Sequence, residues 1–280
     1  MPKRPTRPSS DKDSVAKASP RKASLRKKSQ FPSAIQLLAV PGIPEIQPSD
    51  DLAELILSAA RRARIALQNG DVLVIAQKII SKSENRLANL RDITPSSQAQ
   101  QLAARLRKDP RLIELILSES HRIVRSHPVL IVETRHGLVC ANAGVDQSNI
   151  PGNDIVSLLP RDPDNTARRL AAKLRRLTRK KIAVIISDTF GRPWRLGLIN
   201  VAIGAAGVPV LLDLRGKRDH YGKPLHATII AVADELATAA GLLMEKSAAI
   251  PAVIIRNYAY RPATAPAANI IRPPNEDLFR

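Results

Sequence analysis

Two carboxylates stand at similar places in this chain, each a few residues beyond an apolar run. Leu138-Val139-Cys140-Ala141 precedes Gly144-Val145-Asp146-Gln147-Ser148-Asn149, and Ile182-Ala183-Val184-Ile185-Ile186 precedes Ser187-Asp188-Thr189-Phe190-Gly191-Arg192. Short apolar runs read as strands, and polar groups just past a buried strand are well placed for ligands. If the two strands are neighbours, Asp146 and Asp188 converge. Their hard oxygens, with the Thr189 hydroxyl, would bind Mg²⁺ or Mn²⁺ and leave room for water and phosphate oxygens. Such an ion neutralises charge in phosphoryl transfer. The alternative is local: an Asp in a turn caps nearby backbone amides, and either residue alone fits that role equally well.

Other charged residues lie close by in sequence. Arg192 and Arg195 flank Pro193-Trp194, where guanidinium forks suit phosphate or carboxylate, or simply face water. Lys78 and Lys82 follow the β-branched run Asp71 to Ala76 and could meet phosphates as point charges, although an exposed lysine is the simpler reading. No Gly-x-x-x-x-Gly-Lys-Ser/Thr loop occurs, and Gly204-Ala205-Ala206-Gly207 lacks the dinucleotide-binding spacing. The five histidines show no close metal-ligand spacing. Cys140 is the single cysteine, which excludes an internal disulfide and a multi-cysteine zinc site; in its apolar run it reads as a buried structural thiol.

The elements that must position these groups follow from periodicity. A first strand at Ile35 to Val40 leads to Pro41-Gly42-Ile43-Pro44, and a helix capped at Ser49 or Asp50 runs to a stop at Asn69-Gly70. Helices are expected from Ser96 to Arg107, from Asp109-Pro110 onward, around Ala167 to Leu177 and from Val232 to Leu243. Val129 to Glu133 and Leu138 to Ala141 form a hairpin, and further strands are expected at 71–76, 182–186, 208–212, 227–231 and 253–255. Helices and strands mix without a strict βαβ rhythm. An α+β fold is therefore expected, with mixed sheets, hairpins and packed helices, in a single globular body of two closely associated halves.

The formal net charge of the 280 residues is +19, which suggests nucleic acid until its distribution is examined. Ten basic residues face only two acidic ones between Met1 and Gln30, so a surplus of eight belongs to the first thirty residues. Residues 1–33 are expected to be a disordered basic tail, with nucleic-acid contact a secondary possibility, residues 34–262 the functional domain, and residues 263–280 an extension. The body stays basic, which suits anionic substrates. No run reaches the length of a membrane span and no secretory signal is evident, so a cytoplasmic location is expected.

Several segments in order resemble the coenzyme F420 γ-glutamyl ligases. They are Pro41-Gly42-Ile43-Pro44-Glu45-Ile46, Gly70 to Lys82, Ala143 to Asn149, Ser187 to Arg195, and Ala231-Val232-Ala233-Asp234-Glu235. The resemblance implies a GTP-dependent ligase that adds L-glutamate by an amide bond to the deazaflavin precursor F420-0. It implies two divalent ions, Mg²⁺ or Mn²⁺, with Asp146 and Asp188 on one and Thr189 on the other. It places Ile43, Pro44, Glu45, Ile46, Gln77, Lys82 and Asn149 against GTP, and likens Asp219-His220-Tyr221-Gly222 to a nucleotide-side loop. Asp146, Asp188, Arg192 and Arg195 would stabilise charge during transfer of the γ-phosphoryl group to the precursor's carboxylate, and glutamate would then displace phosphate. A homodimer is also implied. Two other readings remain open, a metal-dependent phosphatase and a basic nucleic-acid-binding protein; against the first, Asp188-Thr189-Phe190 lacks a second acid two residues on.

Overall fold

The computed structural model describes residues 34–277; the tail expected over residues 1–33, with its nucleic-acid reading, and the last three residues lie outside them. In chain order the elements are β1 (Gln36–Ala39), α1 (Leu52–Arg62), β2 (Val72–Ala76), α2 (Gln77–Ser83), β3 (Leu87–Asn89), α3 (Ser97–Leu106), α4 (Pro110–Ser118), β4 (Ser120–Arg125), β5 (Ile131–Thr134), β6 (Val139–Ala141), β7 (Ile155–Ser157), α5 (Pro163–Thr178), β8 (Ala183–Arg192), β9 (Arg195–Ala206), β10 (Leu212–Asp213), β11 (Ile229–Ile230), α6 (Val232–Met244) and β12 (Ala252–Arg256).

The central sheet has the order β1-β12-β2-β8-β9. Only β2 and β8 run parallel; the other neighbours are antiparallel. The middle strands are apolar at nearly every position because both faces are covered. Leu73, Ile75, Val184, Ile186 and Ile254 point into one core beneath α1 and α5. Val72, Val74, Ile185, Val253 and Ile255 point the other way, into a core closed by α6. A third core, with Ile113, Ile116, Leu130, Val132 and Val156, holds a second half built on α3, α4 and the sheet β4-β5-β6. The expected α+β class with mixed sheets is what the chain adopts.

Local signals hold at several termini. Ser96 caps α3 by accepting from the Ala99 amide, and Asp109 caps α4 with Pro110 at its first position. α1 differs: its cap is Asp51, and it ends at Arg62 instead of running to Asn69-Gly70. Arg64 turns left-handed there (φ 58°), and the Ile65 amide bonds back to the Ala60 carbonyl at 2.8 Å, closing the helix. Leu67 is buried from an irregular segment, so its apolar spacing did not signal helix.

The largest departure concerns β8. The segment Ser187 to Arg192 is not a loop after a strand; β8 continues through it, pairing Asp188 with Val201 and Thr189 with Asn200 of β9. Residues 203–206 of the Gly-rich stretch are the far end of that partner strand, and Gly207 lies just past it. A Cβ on Gly204 would lie 2.5 Å from the Pro163 backbone, so glycine is what lets the start of α5 sit on β9. Further differences are the helical form of Gln77–Ser83, the additional strands β3, β4 and β7, the short β10, which overlaps the expected strand 208–212 only at Leu212, and the short β11 within the expected strand 227–231. The C-terminal segment packs onto the body: Ala267 is buried, and the amides of Ala267 and Ala268 donate to the Asp164 carboxylate at 2.7 and 3.3 Å. Among the described residues no helix is long and apolar enough to cross a membrane.

Candidate active site

The parallel pair β2 and β8 ends in register, Ala76 beside Ser187, so the residues that follow emerge side by side. Ligands in open sheets collect at such carboxyl ends. Here a cavity of about 2030 Å³ opens, reached by Gln77, Lys78 and Lys82 from α2 and by Asp188, Thr189 and Arg192 from β8. The loop Ile43-Pro44-Glu45-Ile46 forms another wall. Lys82 is 6% exposed, and its ammonium lies 2.6 Å from the Glu45 carboxylate. Gln77 is 2% exposed; its Oε1 lies 2.8 Å from the Ser81 hydroxyl, which also donates to the Leu158 carbonyl at 2.6 Å, and among the described residues its Nε2 has no partner. A buried amide donor without an acceptor costs free energy that a ligand oxygen would recover.

Asp146 enters from the second half. Asp146 and Ser157 exchange backbone hydrogen bonds at 3.1 and 2.8 Å, fixing the segment. Its carboxylate accepts from the Ser148 amide and hydroxyl, both at 2.8 Å, and lies 2.8 Å from the Lys78 ammonium. The turn-capping role therefore exists, and it coexists with a place on the cavity wall. Burial pushes the Asp146 carboxyl up, but Lys78 and Ser148 outweigh it and leave it below the ordinary range.

Asp188 is in the opposite condition. Protein atoms crowd water away from its carboxyl; this, helped by the charge of Asp146 and opposed by the Thr189 amide, raises it to about 6. No salt bridge reaches Asp188 among the described residues. Burial and then the charge of Asp188 push the neighbouring Cys140 thiol up to about 12, which agrees with an unreactive structural cysteine.

The Thr189 hydroxyl donates to Asn200 Oδ1 at 3.2 Å. Arg192 lines the cavity and donates to the Leu196 carbonyl at 2.7 Å, while its buried Nε has no partner among the described residues. Arg195 is exposed and outside the lining. Asn149 lines the cavity and donates to the Lys246 carbonyl at 3.3 Å. Asp219, Tyr221 and Gly222 are elsewhere, in the loop between β10 and β11, where Asp219 accepts from the Tyr221 and Lys223 amides. The fold thus gathers Ile43 to Ile46, Gln77, Lys82, Asp146, Asn149, Asp188, Thr189 and Arg192, and leaves out Arg195 and the 219–222 loop.

Sequence reasoning passed over Asn200, Lys246 and Ser247, which also line the cavity. Asn200 has a signal only once β9 is paired with β8, and Lys246-Ser247 lie in the irregular return from α6 to β12. Among the described residues no group of three His, Cys, Asp or Glu side chains could cage a metal ion. The donor set that does exist, two carboxylates and a hydroxyl with one carboxylate lacking an ion pair, fits a hard divalent cation that takes its remaining oxygens from water and substrate.

Fold and site define an α+β protein with a large, charged cavity at the carboxyl edge of its central sheet. The chain belongs to the F420-0:gamma-glutamyl ligase family, whose model matches residues 42–257. It is similar to the coenzyme F420:L-glutamate ligase of Methanothermobacter thermautotrophicus, 45% identical over 88% of this chain and 99% of that protein. The protein of the same name from Methanopyrus kandleri is 47% identical, covering 88% and 98%, and that from Archaeoglobus fulgidus 39%, covering 88% and 96%.

Proposed function

We propose that this chain is a GTP-dependent ligase that joins L-glutamate by an amide bond to F420-0. The observation that supports it most is the meeting of Asp146 and Asp188 on one cavity with the unpartnered Gln77 amide, in a chain of this family. The precursor's carboxylate oxygen attacks the γ-phosphorus of GTP, breaking its bond to the leaving oxygen and giving an acyl phosphate and GDP. The glutamate amine then attacks the acyl carbon, phosphate leaves and a proton is released.

Asp146, Asp188 and Thr189 would hold two Mg²⁺ or Mn²⁺ ions, which supply charge neutralisation for the phosphates. Gln77 donates to a nucleotide oxygen, and Lys82, with Lys246, adds positive charge along the phosphates. Arg192 meets charge developing on the transferred group. No nucleophilic side chain is needed, which suits a site whose cysteine is held as a neutral thiol. A homodimer is part of the proposal, supported by the exposed Leu196 and Leu198 beside Trp194 at the tip of the β8-β9 hairpin. The test is mass analysis after incubation with GTP, Mn²⁺, glutamate and F420-0: a product heavier by one glutamyl residue is expected, and its absence would overturn the reading.

A further inference from the structure

The cavity is larger than the few hundred to about 1,000 Å³ that one small ligand fills, and its far wall is the sheet β4-β5-β6. Pairing decides which side chains of β4 face it. Arg122 is opposite Glu133, Ile123 opposite Val132, and Arg125 opposite Ile131. Directly opposed residues share a face, so Ile123 follows the buried Val132 into the third core. Arg122 and Arg125 take the other face, and both line the cavity together with Ile131. Three residues apart, two arginines on a regular strand would point to opposite faces; the bulge that inserts Val124 brings them to the same one.

That face carries Val124, Ile131 and Val139 together with the two guanidinium groups. Arg122 is engaged by Glu133 at 2.8 Å, whereas the Arg125 side chain has no ion pair or hydrogen bond among the described residues and is exposed to the cavity. A free guanidinium among aliphatic side chains suits an oxyanion attached to a sizeable apolar body. Glutamate offers no apolar body, and the nucleotide is accounted for by the wall at Ile43 to Ile46, Gln77 and Lys82.

Resting on the ligase reading above, we propose that the cavity face of β4-β6 is the subsite for the acceptor acid. Arg125 is its specificity-determining residue, pairing with a carboxylate or phosphate oxygen of the acceptor while Val124, Ile131 and Val139 cover its apolar part.

The test uses the full chain, with Arg125→Ala and Arg125→Lys, in two measurements: optical titration of F420-0 binding, and initial rates with each substrate varied in turn. Arg125→Ala should raise the acceptor Kd and KM at least tenfold, with the KM values for glutamate and GTP within about twofold of the parent, and Arg125→Lys should recover part of the loss. Unchanged acceptor binding, or a rise confined to the glutamate KM, overturns the proposal. A parent chain that binds F420-0 in an Arg125-dependent way but forms no product sinks the ligase reading and keeps the subsite. A parent that binds no F420-0 overturns both.

Discussion

Asp188 and Asp146 face one cavity from different halves of the molecule, and they differ in charge balance: Lys78 neutralises Asp146 at 2.8 Å, whereas no salt bridge reaches Asp188 among the described residues. Crowding by protein atoms, and then the charge of Asp146, hold the Asp188 carboxyl at about 6. Lys78 and Lys246 act on Asp188 by charge alone, without a close ion pair among the described residues.

A raised carboxyl in the folded state has a definite sign for stability. Near pH 4 the group is largely protonated folded and partly so unfolded, and its cost appears as pH climbs through about 6. Asp188→Asn should therefore stabilise the metal-free protein by about 1–3 kcal/mol at pH 7.5, with the difference fading toward pH 4. Urea unfolding at both pH values checks this, and a less stable Asn variant at pH 7.5 would contradict it.

Mn²⁺ should raise the melting temperature of the parent protein, and more strongly at pH 7.5 than at pH 5, because the ion must compete with the proton on Asp188. Asp146→Ala and Asp188→Ala should each remove most of that rise in differential scanning fluorimetry. A rise that survives both substitutions would place the ion elsewhere.

Gln77→Met removes the unpartnered buried amide while keeping the side chain's length. Stability should change by less than about 1 kcal/mol, since the lost bond from Ser81 is offset by relief of the unsatisfied donor. GTP affinity, by calorimetry, should fall about tenfold; unchanged affinity would remove Gln77 from the nucleotide site.

Gly204→Ala places a methyl against the Pro163 backbone and forces the start of α5 away from β9. A loss of about 2–4 kcal/mol is expected in urea unfolding. A neutral result would mean that this contact is looser than 2.5 Å implies.

Much of this arrangement is legible in the residues. The runs Val72 to Ala76 and Ala183 to Ile186 announce buried strands, and they deliver Gln77 and Asp188 where a parallel pair ends. What periodicity could not show is that β8 continues to Arg192. Its support is the partner strand β9, reached through Pro193-Trp194, a pair without the Asn-Gly signature of a tight hairpin. Asn200 was invisible for the same reason. Lys246 and Ser247 reach the cavity because α6 and β12 place them there, and no local pattern in their own segment marks it. The 219–222 loop shows the reverse: its motif suggests the nucleotide, but Asp219 is satisfied by amides of its own turn, and the loop lies outside the cavity.

The most direct measurement follows an oxygen atom. F420-0 carrying ¹⁸O in its terminal carboxylate is incubated with the protein, GTP, Mn²⁺ and glutamate, and the inorganic phosphate is analysed by mass. Ligation through an acyl phosphate predicts one ¹⁸O in each phosphate released with product. Unlabelled phosphate would show that water, and not the acceptor, attacks GTP, and would contradict an amide-forming role for this site.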